Sequence, residues 1–189
     1  MPVPFPHDKL AAVCSAPVTR ALVLGRIQLH WDHIVDAMKD RGLTEVSSLV
    51  AAAATIAVEC HFAPISENGN AAYFKKAYGN RKDYEVDAAG LWKWRGRGFV
   101  QLTGKDNYQK YGRLVGEDLM ANPDRALDPM VAAKIFAAYF KTNSCDVWAA
   151  RGHWLKVREI VNGKPKNKKP NGWTEFIELV WLLLDLAYS

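Results

Sequence analysis

The chain is poor in cysteine, and the three it has, Cys14, Cys60 and Cys145, include no CxxC pair. An odd, scattered set excludes a disulfide framework and a cysteine-based zinc site, and it suits folding in a reducing compartment. His30 and His33 lack a third ligand at metal-site spacing, so no metal and no other cofactor is expected. No internal repeat is visible. The apolar run at Phe176 to Tyr188 has 13 residues and carries Glu178 and Asp185, too short and too charged to span a bilayer. It reads as a buried terminal helix, without stable membrane insertion. The start, Met1-Pro-Val-Pro-Phe-Pro-His-Asp8, has no basic n-region and is interrupted by prolines, so it does not read as a secretory signal. Leu10-Ala-Ala-Val-Cys14 resembles a lipoprotein cleavage site, with no signal ahead of it. A phosphate-binding loop is missing too. Gly98 to Gly104-Lys105 is one residue too long for it, and Asp106 stands where Ser or Thr is needed.

What is present is a globular composition: 189 residues, 49% apolar and 24% charged. A chain of this size buries roughly 70% of its surface, enough for one domain spanning 1–189 without staples and without a second, separate domain. The net charge of +5 and pI near 9.1 favour anionic partners: nucleic acid, anionic membrane or cell-wall polymer. Seven Trp suit cores, interfaces and sugar-binding clefts alike.

Helix signals dominate. Trp31 to Asp40 reads as a short amphipathic helix ending near Gly42. Val46 to Cys60 has almost no polar face, the mark of a buried helix. Asp128-Pro129 supplies an N-cap and a first-turn proline for a helix over Met130 to Lys141. Cys145 to Val161 is helical in pattern, weakened at Gly152. Asn171 can cap the last helix, with Phe176, Leu179, Val180 and Leu183 on one face. Residues 62–112 are Gly-, Asn- and Asp-rich and read as long ordered loops with a short strand at Phe99 to Thr103. Loops of that length in a compact domain are usually functional. Lys164 to Lys169 reads as a solvated basic connection.

Glu59 is the most anomalous residue. It ends the stretch Ala51-Ala-Ala-Ala-Thr-Ile-Ala-Val58, where desolvation raises a carboxyl pKa, as a general acid needs. A helix-terminal Glu turned outward to water is the bland alternative. Glu67 follows in Ala63-Pro-Ile-Ser-Glu-Asn-Gly-Asn70, a loop in which it should be solvated and ionised. Two carboxyls in unlike settings suit a division of acid and base roles, and glycoside hydrolysis uses such a pair. A Cys60 nucleophile with His61 or His153 carries no family signature.

The stretch Trp94-Arg-Gly-Arg-Gly-Phe-Val-Gln-Leu-Thr-Gly-Lys-Asp-Asn-Tyr-Gln-Lys-Tyr-Gly112 resembles the signature of family 19 glycoside hydrolases, most closely its bacteriophage endolysin branch. Val58-Glu59, Pro64-Ile-Ser-Glu67, Asn122-Pro-Asp through Tyr139-Phe, and Val157-Arg-Glu-Ile-Val-Asn-Gly163 match other parts of the family in order. The chain departs in having Val58-Glu59-Cys60-His61, not His-Glu, at the acid, and Lys164 after Asn162-Gly163. The plant chitinases' disulfide cysteines are absent.

The resemblance implies a mainly α, lysozyme-like two-lobed domain with a loop-rich cleft and little β structure. It implies Glu59 as general acid, Glu67 as general base and Thr103 as a holder of the attacking water. Gln101, Asn107, Tyr108 and Asn162 would line sugar subsites, with Arg97 and Arg158 as cleft residues whose duties are as much structural as binding. Inversion at the anomeric carbon is implied, with carboxyls about 6.5–9.5 Å apart. The favoured substrate is the β-1,4 backbone of peptidoglycan, cleaved by a monomeric endolysin made in the host bacterial cytoplasm and acting on the periplasmic wall after release. Chitin is the alternative within the class. A non-catalytic wall-binding or nucleic-acid-binding module is the alternative outside it. Nucleic acid is disfavoured because no Trp or Tyr interleaves Lys164 to Lys169.

Overall fold

The computed structural model describes residues 5–166 and 168–189. Met1–Pro4 and Asn167 lie outside the described residues, and with them part of the N-terminal segment and of the basic connection read above. The architecture is mainly α, as expected. Its helices are α1 (His7–Cys14), α2 (Arg20–Lys39), α3 (Val46–Cys60), α4 (Ala71–Tyr78), α5 (Lys105–Val115), α6 (Pro129–Thr142), α7 (Cys145–Ala150), α8 (Trp154–Asn162) and α9 (Trp173–Tyr188). A 3-10 turn covers Pro123–Leu127. Two two-residue strands, β1 (Ile65–Ser66) and β2 (Arg97–Gly98), pair antiparallel, with Ile65 opposite Gly98 and Ser66 opposite Arg97.

The all-apolar pattern of α3 has the predicted consequence. Every residue from Ser48 to Ala57 is buried, and α3 packs against α7, α8 and α9. Four consecutive alanines, Ala51 to Ala54, let those neighbours approach closely. The Asp128 carboxylate accepts from the Met130 and Val131 N–H groups, capping α6 as expected.

Five expectations are corrected. The helix read from Trp31 begins eleven residues earlier, at Arg20. Its buried stripe is Val23, Ile27, Trp31, Ile34 and Met38, but exposed Leu22 and Leu29 blur that stripe in the sequence. Cys145 to Val161 is two helices, because Gly152, in the left-handed region at φ +69°, terminates α7. Gly172, not Asn171, is the N-cap of α9. The strand expected at Phe99 to Thr103 is a tight hairpin instead. Gln101 turns at φ +51°, and Leu102 exchanges both backbone hydrogen bonds with Arg97. The stretch read as loops also holds α4 and α5. The Asn70 side chain caps α4 by accepting from Tyr73 N–H, and Asp83 accepts from Lys105 N–H at the start of α5.

Candidate active site

Glu59 stands one residue from the end of α3, whose C-cap is His61 at φ +47°, followed by Phe62 at φ +60°. Two successive non-glycine residues in the left-handed region are costly and tend to mark functional sites. The Glu59 side chain is 14% exposed, and the Arg158 guanidinium beside it 2%. Arg158 donates from Nη1 to Glu59 Oε1 at 2.5 Å, and from Nε and Nη2 to the Asn171 carbonyl at 2.9 and 2.6 Å. Asn171 N–H in turn donates to Asn162 Oδ1 at 3.1 Å. Glu59 thus has a charged partner that the apolar stretch before it does not reveal. Gly172 is required here. A Cβ would meet Val58 Cγ1 at 2.6 Å and Arg158 Nη2 at 2.9 Å, at φ +66°.

Glu67 follows β1. Its N–H donates to the Gly96 carbonyl at 2.7 Å. Its carboxylate is less solvated than expected. Oε1 accepts from the Tyr73 and Tyr78 hydroxyls at 3.0 and 2.8 Å, and Oε2 accepts from Gly96 N–H at 3.0 Å. Burial and the Glu67 hydrogen bond push the Tyr78 phenol well above its ordinary pKa, and the Glu67 hydrogen bond raises that of Tyr73. Both phenols therefore stay protonated and donate. Tyr78 is held by stacking on Trp92 at 4.0 Å.

A carboxylate offers about four lone-pair directions. Both on Oε1 and one on Oε2 are taken, which leaves one on Oε2. Gly96 joins this atom to Thr103: a Cβ at Gly96 would come within 3.2 Å of Thr103 Oγ1 and 2.9 Å of Gln101 Oε1. The Thr103 hydroxyl donates to the Gln101 carbonyl at 2.7 Å. Its hydrogen is committed, so toward a water it can only accept. Its expected part in holding a water is thereby limited to accepting.

The remaining candidates divide. Gln101 gives its amide N–H groups to the Ile65 and Gly98 carbonyls at 2.9 and 3.0 Å, leaving only its side-chain oxygen for a ligand. Exposed Asn107 donates to the Thr103 carbonyl at 2.8 Å, and exposed Asn162 closes the Arg158 network. Tyr108 is corrected as a sugar contact, and of the two duties expected for Arg97 and Arg158 the structural one is seen, because each of the three is buried and already satisfied. Arg97, 2% exposed, donates to Asp124 at 2.8 Å and to the Lys93 and Arg95 carbonyls. It also donates to the Tyr108 hydroxyl at 2.8 Å. Tyr108, 0% exposed, donates to the Arg95 carbonyl, and burial pushes its phenol up to about 12. Arg158 gives its hydrogen bonds to Glu59 and Asn171 and lies over the Phe176 ring.

Sequence reasoning missed Tyr73, Tyr78, Gly96 and Asn171. Asn70 as a helix cap was the available signal for α4 and its two tyrosines. Among the described residues, no group of three His, Cys, Asp or Glu is placed to hold a metal ion. A hollow of about 390 Å³ lined by residues of α1, α2 and α9 includes neither acid.

Cys60 Sγ approaches the Phe99 carbonyl at 3.8 Å, which seats the 97–102 hairpin against the end of α3. The acid-bearing helix and the loop holding the second carboxylate thus share one support. Residues 39–154, more than half of the chain, match the family model described as Chitinase class I, of glycosyl hydrolase family 19. That span includes Glu59, Glu67 and Gln101 to Asn107 and stops before Arg158 and Asn162. The chain is 42% identical over 89 residues to a glycosyl hydrolase family 19 domain-containing protein of Haemophilus influenzae, covering 47% of this chain and 42% of that one. It is 32% identical over 80 residues to Chitinase 8 of Oryza sativa, covering 42% and 28%. It spans less than half the length of either relative. The fold resembles the crystal structure of chitinase C from Streptomyces griseus, with a TM-score of 0.60, 19% identity, and coverage of 82% of this chain and 62% of that one. On the matched span, the chain belongs to glycoside hydrolase family 19.

Proposed function

We propose that this protein hydrolyses β-1,4 glycosidic bonds of an N-acetylated glycan with inversion, and that the glycan is bacterial peptidoglycan. The observation that carries the reading is the single unfilled lone-pair direction on Glu67 Oε2, beside a Thr103 oxygen that can only accept. A water between them gives one hydrogen to each and keeps an oxygen lone pair for the anomeric carbon. Glu67 takes the proton as the C–O bond forms. Glu59, protonated in the reactive complex, delivers its proton to the leaving oxygen. Arg158 then stabilises the carboxylate left behind, and it holds the carboxyl in place before the step. Gln101 Oε1, Asn107 and Asn162 supply polar edges for the sugar hydroxyl and acetamido groups.

A net charge of +5 supports the acidic wall polymer over neutral chitin. An endolysin role fits this: a monomer accumulated in the host bacterial cytoplasm and reaching the periplasmic wall after release. The chitinase names of the relatives favour the second reading, hydrolysis of β-1,4-linked N-acetylglucosamine polymers. Digestion of purified sacculi, with mass spectrometry of the new reducing ends, tests the first reading. Cleavage of chitin oligomers with intact sacculi would replace it by the second. No cleavage of either would overturn both.

A further inference from the structure

The net charge is not spread over the molecule. Residues 62–113 hold ten Lys and Arg against five Asp and Glu, while the rest of the chain holds fifteen of each. The whole basic excess lies in the segment that carries Glu67, Thr103 and the 97–102 hairpin. Half of its cations are spent internally. Arg81 pairs with Asp83, Arg95 with Asp87 and Arg97 with Asp124, while Lys93 and Lys105 share Glu85. Lys75 and Lys110 lie over the rings of Tyr84 and Tyr111. Among the described residues, three of the ten have neither an ion pair nor a ring partner, and all three are exposed: Arg113, at the opposite end of α5 from Thr103, and Lys76 and Lys82.

The positions of the two lysines relate to the site. Lys76 is three residues beyond Tyr73 on α4, so the two share a face, and the Tyr73 hydroxyl touches Glu67. Lys82 lines an open depression of about 400 Å³ with Arg81, Asp83, Lys105 and Asp106. That depression borders the turn leading from Thr103 into α5. Unpaired ammonium groups beside a polymer-binding face draw anionic groups and raise their local concentration.

We propose that Lys76 and Lys82 select acidic glycans by meeting carboxylates carried on the strand beside the scissile bond. The inference rests on the glycan-hydrolase reading and deepens it by assigning charge selection to one segment rather than to overall charge. Acidic groups on neighbouring sugars would engage the two lysines, while the bond to be cut lies against Glu67.

Binding tests this without requiring turnover. In a Glu67→Gln background, calorimetry compares soluble peptidoglycan strands with the same strands after amidation of their carboxylates. The acidic strands should bind about tenfold tighter at low salt, and the preference should shrink toward 0.3 M salt. Lys76→Glu with Lys82→Glu should abolish the preference. Lys39→Glu with Lys134→Glu changes the net charge equally on exposed positions of α2 and α6 and should retain it. Equal loss in both pairs would assign the effect to overall charge and overturn the proposal, as would no preference in the parent. Bond cleavage by the wild-type protein is scored separately. Its absence would sink the hydrolase reading, while the binding comparison still decides the charge selection.

Discussion

The two carboxylates are held in opposite ways. Glu59 sits on the rigid helical frame, at the end of a helix buried on all sides, and its partner is a single buried charge delivered by α8. Glu67 sits on a loop edge with little apolar packing of its own, and three neutral donors from α4 and the β2 hairpin converge on it. Where packing is dense, one guanidinium can be buried because the surrounding helices fix it and the Asn171 carbonyl takes its remaining hydrogens. Where packing is sparse, position comes from counting lone pairs. The comparison predicts different failures: removing the partner of Glu59 should damage stability, and removing a partner of Glu67 should damage chemistry.

The largest effects come from the acids themselves. Glu59→Gln keeps the shape and removes the proton, so turnover should fall by about two to four orders of magnitude. A variant retaining a tenth of wild-type turnover would rule Glu59 out as the acid. Glu67→Gln should be as damaging, and proton NMR of the wild-type reaction before mutarotation should show the inverted anomer. A retained anomer would mean that Glu67 attacks carbon directly.

Arg158→Met comes next and reads out differently. It leaves Glu59 and the Asn171 carbonyl without their donor in a buried setting, and breaking such a pair costs about 3–5 kcal/mol. Urea denaturation should show most of that loss. A variant as stable as the wild type would mean that the frame does not depend on the pair.

This contrast also explains what could be read from the sequence. The Glu59 helix was legible because an uninterrupted apolar run has one physical outcome, and the Asp128-Pro129 cap was legible because its chemistry is local. The order of motifs carried the family resemblance and placed Glu67, Thr103 and Gln101 near one another. What stayed hidden is long-range. Arg158 meets Glu59 across 99 positions of sequence, and nothing local distinguishes it from a surface arginine. Arg97 and Tyr108 lie in the most recognisable motif, yet they are buried and bonded to each other. The motif therefore mixes residues that build the hairpin with residues that face a ligand. Gly152 reads as a weak point of one helix, while its positive φ makes it the end.

Thr103→Val tests the loop side. It removes one acceptor for the water and leaves Glu67 in place, so the barrier should rise by about 1–3 kcal/mol. Thr103→Ser should keep most activity, because the hydroxyl can still donate to the Gln101 carbonyl and accept from the water. A loss in Thr103→Ser with activity kept in Thr103→Val would show that the methyl group matters rather than the oxygen.

The smallest effect is expected from Tyr78→Phe. It removes one of two phenols on Glu67 Oε1 and keeps the ring against Trp92, so stability near neutral pH should change by about 1 kcal/mol or less. Chemistry should respond more specifically. With a lone pair freed on Oε1, the attacking water has a second place to bind, away from Thr103, and kcat should fall while KM holds. The pH dependence carries a further signature. The Tyr78 phenol is raised above its ordinary value in the folded state, so the folded protein keeps that proton where the unfolded chain releases it. The resulting stability is fully present below about pH 10 and is lost as pH rises beyond it. Denaturation at pH 9 and pH 11 should therefore show a steeper loss in the wild type than in Tyr78→Phe. Parallel losses would mean that the phenol does not hold Glu67, and that the loop carboxylate owes its position to Tyr73 and Gly96 alone.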